Sequence, residues 1–480
     1  MRFPTGKISI RWSFNAASRA LCAVLIAVSA TTGCRSIKEK RRARFAAVDA
    51  SARRDFREGD YAAAAEKLKE AASIPTPEEP LYRIDRASAL LLLGKTTEAR
   101  RELMAAHRSI DAAFDLESEK RAGGVWGKES EKLYKGDPYE RCLLYFMLSL
   151  CLLEEGDADN ALAALKTGLL ADSDSEKGTY KSDFALLMFM AAKCCDIRGE
   201  PELRDEYLDA AFNAWLTFPG NTKWFAERLT AVYDSFQGGK PSPKGADLSP
   251  TLLDCVAIGK KNSLADALMK RNVPEKKASE MAAFGKRLAE GRAILDFNVL
   301  VVIWRGSPPD MRRVGRYGEK RVIIPGNVDN DTVYEILLDG EEIKIPMDEF
   351  GDITYQATTR GGRKMDQVLS RQAFYKTATN TSGNAIMMAA AATRSAPVAL
   401  GLLAAGLIMK ITAVLMHPEA DIRHWGNLPY EFDILPLKLA PGEHVLALER
   451  ETDATTEEIS SKKITITEKT PFASAHFRVP

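Results

Sequence analysis

The stretch that decides the fold of the first half is FREGDYAAAAEKLKEA, at residues 56–71. A glycine followed by an acid separates two apolar patterns, and Ala64, Leu68 and Ala71 recur at the spacing of one helix face. Residues 90–106 repeat this arrangement, with the glycine 35 residues further along the chain. A period of this length predicts stacked helical hairpins, because a single hairpin cannot bury its apolar face alone.

Two further copies of the pattern are centred on Gly156 and Gly199. The glycine turn and the small-large-small packing positions resemble the tetratricopeptide repeat, whose period is about 34 residues. This resemblance implies antiparallel helical hairpins over residues 45–290. Small residues at the packing positions are expected to let the paired helices approach closely: Ala64, Ala99 and Ala161.

An insertion separates the second copy from the third, since Gly94 and Gly156 are 62 residues apart. It covers residues 112–138 and contains Trp126, which either contacts a partner or holds its own loop. Three cysteines lie in the apolar helical patterns and are predicted to be small core residues: Cys142, Cys151 and Cys195.

The pattern changes near residue 291, where helical spacing gives way to short alternating or apolar runs with turn residues between them. The fold class is therefore α+β: an N-terminal tetratricopeptide-like helical repeat superhelix, followed by a β-rich C-terminal domain over residues 291–480 that contains one apolar helix. The predicted strands are 297–304, 321–325, 334–338, 343–346, 431–439, 444–449, 463–467 and 475–479.

The apolar helix is expected within Ile386 to Met409. Arg394 and Pro397 interrupt this segment, and the uninterrupted remainder from Ala396 to Met409 has the length of a buried helix. A core helix is the favoured interpretation. A surface that meets a membrane or a partner, and a true membrane span, are the alternatives.

The N-terminus predicts export. Residues 1–33 have the form of a lipoprotein signal peptide, with a basic leader and an apolar run of eleven residues from Ala20 to Ala30. Thr31-Thr32-Gly33-Cys34 resembles a bacterial lipobox, although Thr31 stands where the motif usually has Leu. The resemblance implies lipidation of Cys34. The alternatives are ordinary signal cleavage after Val28-Ser29-Ala30 and an uncleaved anchor.

A basic tether is predicted at residues 34–44, which carry six basic groups and the single acid Glu39. Beside a lipid anchor such charges either attract anionic headgroups or form a solvated linker. Arg35 follows the cysteine where inner-membrane retention would call for Asp, so the resemblance favours the outer membrane, facing the periplasm.

Three sequence blocks, together with their order, resemble a broadly distributed family of bacterial lipoproteins of unassigned function. The blocks are Tyr134 to Arg141, Val301 to Pro308 and Asp421 to Pro429. The family has tetratricopeptide-like helices and a β-rich C-terminal region. The resemblance implies an envelope location and a scaffold-like build, and it supplies no catalytic residues.

Asp421, Arg423 and Trp425 alternate along the chain, so an extended backbone places them on one face. There the guanidinium can pair with the carboxylate and stack on the indole. The group is predicted either to grip a partner or to form a structural corner before the last sheet.

Catalytic, metal and nucleotide motifs are absent from the sequence. The five histidines are scattered, no CxxC pair occurs, and Lys plus Arg number 67 against 66 acids, which gives nucleic acid no strongly basic surface. We expect no enzyme activity and no cofactor. The predicted function is a lipid-anchored envelope adaptor that binds envelope proteins through the concave surface of its helical repeats. The alternative is a hydrolase, acting on peptidoglycan or another envelope substrate, with its site in the C-terminal domain.

Overall fold

A computed structural model describes the residues from 39 onward, with internal gaps. The signal peptide, Cys34 and Trp126 lie outside the described residues. The described ranges are 39–120, 132–173, 184–216, 274–289, 294–329, 332–343, 348–359, 364–393, 419–451, 456–468 and 472–480, with single helical residues within 227–269 and 398–410.

The first half of the chain is helical. Its helices with described bounds are α1 (39–57), α2 (Tyr61–Ser73), α3 (Glu79–Leu92), α4 (Thr96–Lys120), α5 (Pro138–Glu154), α6 (Ala158–Ser173), α7 (Ala185–Ile197), α8 (Pro201–Leu216) and α9 (Glu275–Ala289). The first eight pair in order as four hairpins, and each hairpin packs against the next.

The four glycines predicted at the hairpin turns share one backbone geometry. Gly59, Gly94, Gly156 and Gly199 have φ values of 85°, 70°, 78° and 72°. In each turn the amide after the glycine donates to the carbonyl five residues earlier, at 2.8 to 2.9 Å, which closes the first helix of the hairpin. Only glycine adopts this φ without strain, so the sequence period and the structural period coincide.

The small packing positions are buried as predicted. Ala64, Ala99 and Ala161 each have no exposed surface. Cys142 and Cys151 are equally buried, and Cys195 likewise lies in the core with a free thiol. Burial raises the pKa of Cys151 well above its ordinary value, so this thiol stays protonated and unreactive.

In the second half, the described residues form two four-stranded sheets and a hairpin. The strands are β1 (Val299–Arg305), β2 (Asp310–Val314), β3 (Lys320–Ile324), β4 (Val333–Leu338), β5 (Glu341–Ile343), β6 (Asp348–Asp352), β7 (Glu431–Leu437), β8 (Gly442–Glu451), β9 (Thr456–Ile466) and β10 (Ala473–Val479). The strand orders are β10-β1-β7-β6 and β5-β4-β8-β9, with β2 paired only to β3. Strand β1 is parallel to β10 and antiparallel to β7.

Three layers follow from the two faces of β1. Val299, Val301 and Ile303 belong to an apolar cluster with the second sheet, on one face. Leu300, Val302 and Trp304 point the other way and belong to the core of the helices. The first sheet is therefore sandwiched between the helices and the second sheet, which explains the near-continuous apolar sequence of β1.

Two strands were not predicted from the sequence. Strand β2 contains Asp310, Arg312 and Arg313, and β6 contains the acids Asp348 and Glu349, so neither shows a clear apolar alternation. In β2 the side chain of Met311 alone is buried, which is too little to mark a strand in the sequence.

The expectation that the segment Ile386 to Met409, with its uninterrupted part Ala396 to Met409, forms a core helix is not supported by the residues that the structure describes. Helix α10 (Ile353–Thr359) precedes α11 (Lys364–Ala392), which already ends within the segment, and Pro397 further along disfavours its continuation. Exposed fractions of Met388, Val398 and Leu407 are 73%, 52% and 55%. Within the described part of the chain, we find no helix with the length and apolar character needed to cross a bilayer.

The end of the predicted tether is ordered. Residues 39–44 belong to α1, where Arg42 pairs with Glu78 and Arg44 pairs with Glu70 of α2 at 2.6 Å. Two of the six basic residues of the predicted tether, Arg42 and Arg44, therefore contact the protein's own acids.

Candidate functional site

The first helix of every hairpin faces the C-terminal domain. We call the surface formed by α1, α3, α5 and α7 the inner face. Almost every residue of α5 and α7 is buried, including residues on the side turned away from their hairpin partners. Helices that are apolar all round must be covered on both sides. Here the first sheet and the segment before β7 cover the side that is turned away from the hairpin partner.

Aromatic side chains join the inner face to the sheet. Trp304 of β1 lies 6.4 Å from the ring of Phe56 and 5.2 Å from that of Phe432. Phe432 in turn lies 5.9 Å from Phe146 of α5. All four side chains are nearly or fully buried and belong to one continuous core, so the two halves of the chain share their interior.

The structure brings Asp421 and Arg423 together as predicted. The carboxylate of Asp421 accepts from Nη2 of Arg423 at 2.7 Å and from its Nε at 2.9 Å. The guanidinium stacks over Tyr134, 5.7 Å from the ring centroid, and not over Trp425 as expected. It also donates to the carbonyl oxygens of Pro77 and Lys132, at 3.2 and 3.0 Å. The pair therefore holds the segment before β7 against the loops of the helical half.

Trp425 enters the inner face itself. Its indole Nε1 donates to Oγ of Ser88 in α3 at 3.1 Å, and its amide donates to Oε1 of Glu140 in α5 at 2.6 Å. The other carboxylate oxygen of Glu140 accepts the amide of Asp137 at 2.6 Å and caps α5. Two of the blocks that carried the family resemblance thus contact each other, and the side chains there are buried rather than open to a partner.

A buried charge network surrounds this contact. Arg53 of α1 donates to Asp85 at 3.1 Å, pairs with Asp49 at 3.0 Å and donates to the carbonyl oxygen of His424 at 3.2 Å. Burial raises the pKa of Asp85 above its ordinary value, although Arg53 acts in the opposite direction. Sequence analysis did not identify these residues, because single acids within helical patterns give no sign of what lies opposite them.

A second polar row lies where β10 meets α5. The amide of Ser474 donates to Oε1 of Glu154 at 2.8 Å, and its hydroxyl also donates to that oxygen. Nε2 of His476 lies 3.2 Å from Oγ of Ser474, and Nδ1 accepts from the indole of Trp304 at 3.2 Å. Serine, histidine and an acid therefore meet in space, a grouping that their sequence positions did not reveal.

The hydrogen-bond order of this row does not suit catalysis. The indole of Trp304 can only donate, so the proton of His476 lies on Nε2, which donates to Ser474 instead of accepting its proton. Burial, and secondarily the charge of Lys462, lowers the pKa of His476 to about 3, so the imidazole is a weak base. The row fixes the last strand to α5. Among the described residues no cluster of acids, histidines and cysteines suits a metal ion.

One groove on the helical half stays open. We call it the outer groove: a cavity of about 650 Å³ between α2, α3 and α4, on the side away from the inner face. The lining residues are Ala62, Ala65, Glu66, Lys69, Ala72, Ser73, Arg83, Arg86, Leu90, Leu93, Lys95, Glu98, Arg101 and Glu102. Alanines leave its α2 side shallow, and five of its eight charged residues are basic.

Pairing differs among the basic groups of the outer groove. Arg83 donates to Glu102 at 2.8 Å and Arg86 contacts the same carboxylate, so both guanidinium groups are held in place. Lys95 and Arg101 are exposed, and neither has an ion-pair partner among the described residues. The excess positive charge of the outer groove therefore lies at its solvent side.

Comparison with known proteins gives similarity to solved structures alone. No family model matches the sequence, and no curated protein matches it. The similar structures include the nearly identical TPR-like repeats of a Podosopora anserina protein described as a kinesin light chain, with 13% identity and a TM-score of 0.27 over 52% of this chain and 98% of that one. A single-substitution variant of those repeats matches with the same identity and TM-score over 94% of its length. A similarity at this level carries no argument about function, which has to be inferred from the site itself.

Proposed function

We propose that the protein is a lipid-anchored adaptor of the bacterial cell envelope that binds a partner protein through its outer groove. One observation carries this proposal: the inner face, the expected concave binding surface, is filled by the chain's own first sheet, while the outer groove of about 650 Å³ stays open. The binding surface is thus moved to the opposite side of the same helices.

The chemistry of the outer groove favours an extended acidic segment of the partner. Ala62 and Ala65 leave room for a peptide backbone to lie close to α2. Arg83 and Arg86 are already oriented by Glu102, so little side-chain entropy is lost when they meet an acceptor. Exposed Lys95 supplies charge at the rim.

The N-terminal sequence supports the envelope part of the proposal. The apolar run of residues 20–30 and Gly33-Cys34 are typical of an exported lipoprotein, and Arg35 after the cysteine favours the outer membrane. Replacing Cys34 with Ser should release the protein from the membrane fraction and abolish labelling by a fatty-acid analogue. If both stay unchanged, the lipoprotein interpretation is wrong.

The enzyme alternative finds no support in the Ser474 row, since His476 donates to the serine and is not a competent base. Purified protein from residue 34 onward should show no turnover of peptidoglycan, peptide or ester substrates. Turnover that is lost on replacing one polar residue after residue 291 would reverse the choice between the two functions.

Charge reversal tests the outer groove directly. In crosslinked cells, the double variant Lys95→Glu and Arg101→Glu should lose an envelope protein that the wild type retains. Arg108→Glu is the matched control, because this arginine is exposed on the same helix and does not line the groove. Equal recovery with both variants would mean that the outer groove is not the binding surface.

A further inference from the structure

A second surface, formed by the β2–β3 hairpin and the helical segment that contacts it, combines exposed apolar side chains with basic ones. Strand alternation divides the hairpin into two faces. Met311 and Arg321 point inward and are buried, whereas the cross-strand pairs Arg312–Val322 and Val314–Lys320 point outward. The outward face therefore alternates charged and apolar groups, and the acid Asp310 on the same face lies 3.6 Å from Arg312.

The exposure of this outward face is high. Val314 and Val322 are 41% and 45% exposed, and the side chain of Arg312 is 71% exposed. Lys320 is exposed as well. Burying these apolar groups against a surface that also neutralises the neighbouring cations would be favourable.

Helix α11 packs beside the hairpin. Lys376 lies 4.9 Å from the ring of Tyr317 in the hairpin turn, and Oγ1 of Thr377 lies 3.4 Å from the hydroxyl oxygen of that tyrosine. Further along the same segment, Met388 and Leu407 expose 73% and 55% of their surface. The apolar segment that was expected in the core is thus continuous in sequence with a helix held against the basic hairpin.

The charge of the surrounding sequence is strongly one-sided. Residues 360–417 contain seven Lys or Arg and the single acid Asp366. The chain as a whole is nearly neutral, with 67 basic and 66 acidic residues, so this segment departs sharply from the rest. Basic groups interleaved with exposed apolar ones are typical of segments that lie in the interface of an anionic bilayer.

We propose that the β2–β3 hairpin and the α11 segment form a membrane-contacting face that binds anionic phospholipid headgroups and inserts apolar side chains beside them. This face takes its setting from the envelope location proposed above, but it does not depend on lipidation. A nucleic acid would use the positive charge and leave the valines exposed, and a second copy of the chain would bring like charges together. An anionic lipid surface would neutralise the basic groups and bury the apolar ones.

The test uses the chain from residue 34 onward with Cys34→Ser, so that no acyl group contributes. Cosedimentation with phosphatidylglycerol-containing vesicles should exceed that with pure phosphatidylcholine vesicles by at least about tenfold, and it should fall as salt rises. Equal binding to both vesicles, or no binding, would overturn the proposal. Membrane fractionation of lipidated cells tests the Cys34 anchor separately, so the two proposals fail independently.

Substitutions locate the face. Arg312→Glu with Lys320→Glu, and separately Val322→Glu, should each reduce vesicle binding by at least about tenfold. The matched controls on β9, Lys463→Glu and Ile459→Glu, replace exposed residues of the same kinds and should leave binding unchanged. Equal loss in controls and variants would contradict the assignment. Size-exclusion chromatography without vesicles tests whether a second copy of the chain covers this face instead. A dimer that Val322→Glu converts to monomer would show that it does.

Discussion

Helices α4 and α5 are neighbours in the same repeat array, yet they meet different surroundings. Helix α4 carries ten charged residues in 25 and has one face open to the outer groove. Helix α5 carries three charged residues in 17 and is buried on nearly every side. A helix of an open superhelix should look like α4, so the composition of α5 indicates a covering layer.

A helical repeat therefore does not guarantee a free concave surface. In this protein the surface is used to bind the first sheet, and the interface contains Trp304, Trp425 and Phe432 as large buried side chains. The two halves are then parts of one folding unit, joined by a common core. Substitutions on the inner face should therefore affect stability, and substitutions in the outer groove should affect partner binding.

Loss of an inner-face aromatic should have the largest effect. Trp304→Ala removes a fully buried indole from the junction and should lower the free energy of unfolding by about 3 to 5 kcal/mol. Because the core is shared, urea unfolding followed by circular dichroism should remain a single transition at lower urea concentration. Leu93→Ala in the outer groove should cost far less. Two separate transitions in the wild type would contradict a common core.

Acid should weaken the same junction through His476. Its pKa is about 3 in the folded protein and about 6.5 when unfolded, so the unfolded chain binds the extra proton between these values and stability falls as pH falls. At pH 4.5 this loss amounts to about 2.5 kcal/mol relative to pH 7.

His476→Gln should flatten this part of the stability profile, measured as the urea midpoint against pH. His444 on β8 is the control, because hydrogen bonding to Asp339 raises the pKa of its side chain. His444→Gln should therefore remove a small contribution that is present in acid and lost as pH rises. Identical pH profiles for wild type and His476→Gln would show that His476 does not titrate as described.

The smallest effect is expected at the hairpin contacts. Ala161→Leu should overpack a fully buried position of α6 and lower the free energy of unfolding by roughly 1 to 3 kcal/mol. Ala62→Leu on α2 is matched in chemistry but exposed, and it should change thermal stability little. A tolerated Ala161→Leu would mean that the paired helices have room to spare at this position.

Local patterns predicted most of the fold. The turn glycines and the buried alanines of the repeat follow from spacing alone, and seven of the eight expected strands were found, with shifted ends. The eighth, at 343–346, overlaps β5 at Ile343 alone, and its other residues lie outside the described part of the chain. Strand β2 was missed because its outward face carries arginine beside valine, which hides the alternation. The segment after Ile386 was misassigned because apolar composition signals burial without saying what would cover it.

The candidate site was less accessible to sequence reasoning. Asp421 and Arg423 could be paired from their spacing of two residues. Their contacts with Pro77 and Lys132 could not, because those partners lie about 290 to 350 positions away. One feature of the sequence indicates that the inner face is covered. Helix α5 is uniformly apolar, and a repeat helix of this kind needs a second covering layer.

Strand β10 follows every other element in chain order, yet it pairs with β1, the first strand, and is held to α5 by Glu154. During synthesis the hairpins of the helical half emerge early, and their apolar side stays uncovered until the last residues have been made. Such a nonlocal closing step makes folding slow and leaves nascent intermediates prone to aggregation. In the exported protein that we propose, a core that closes only with its last strand would leave the chain unfolded until the translocon has released it.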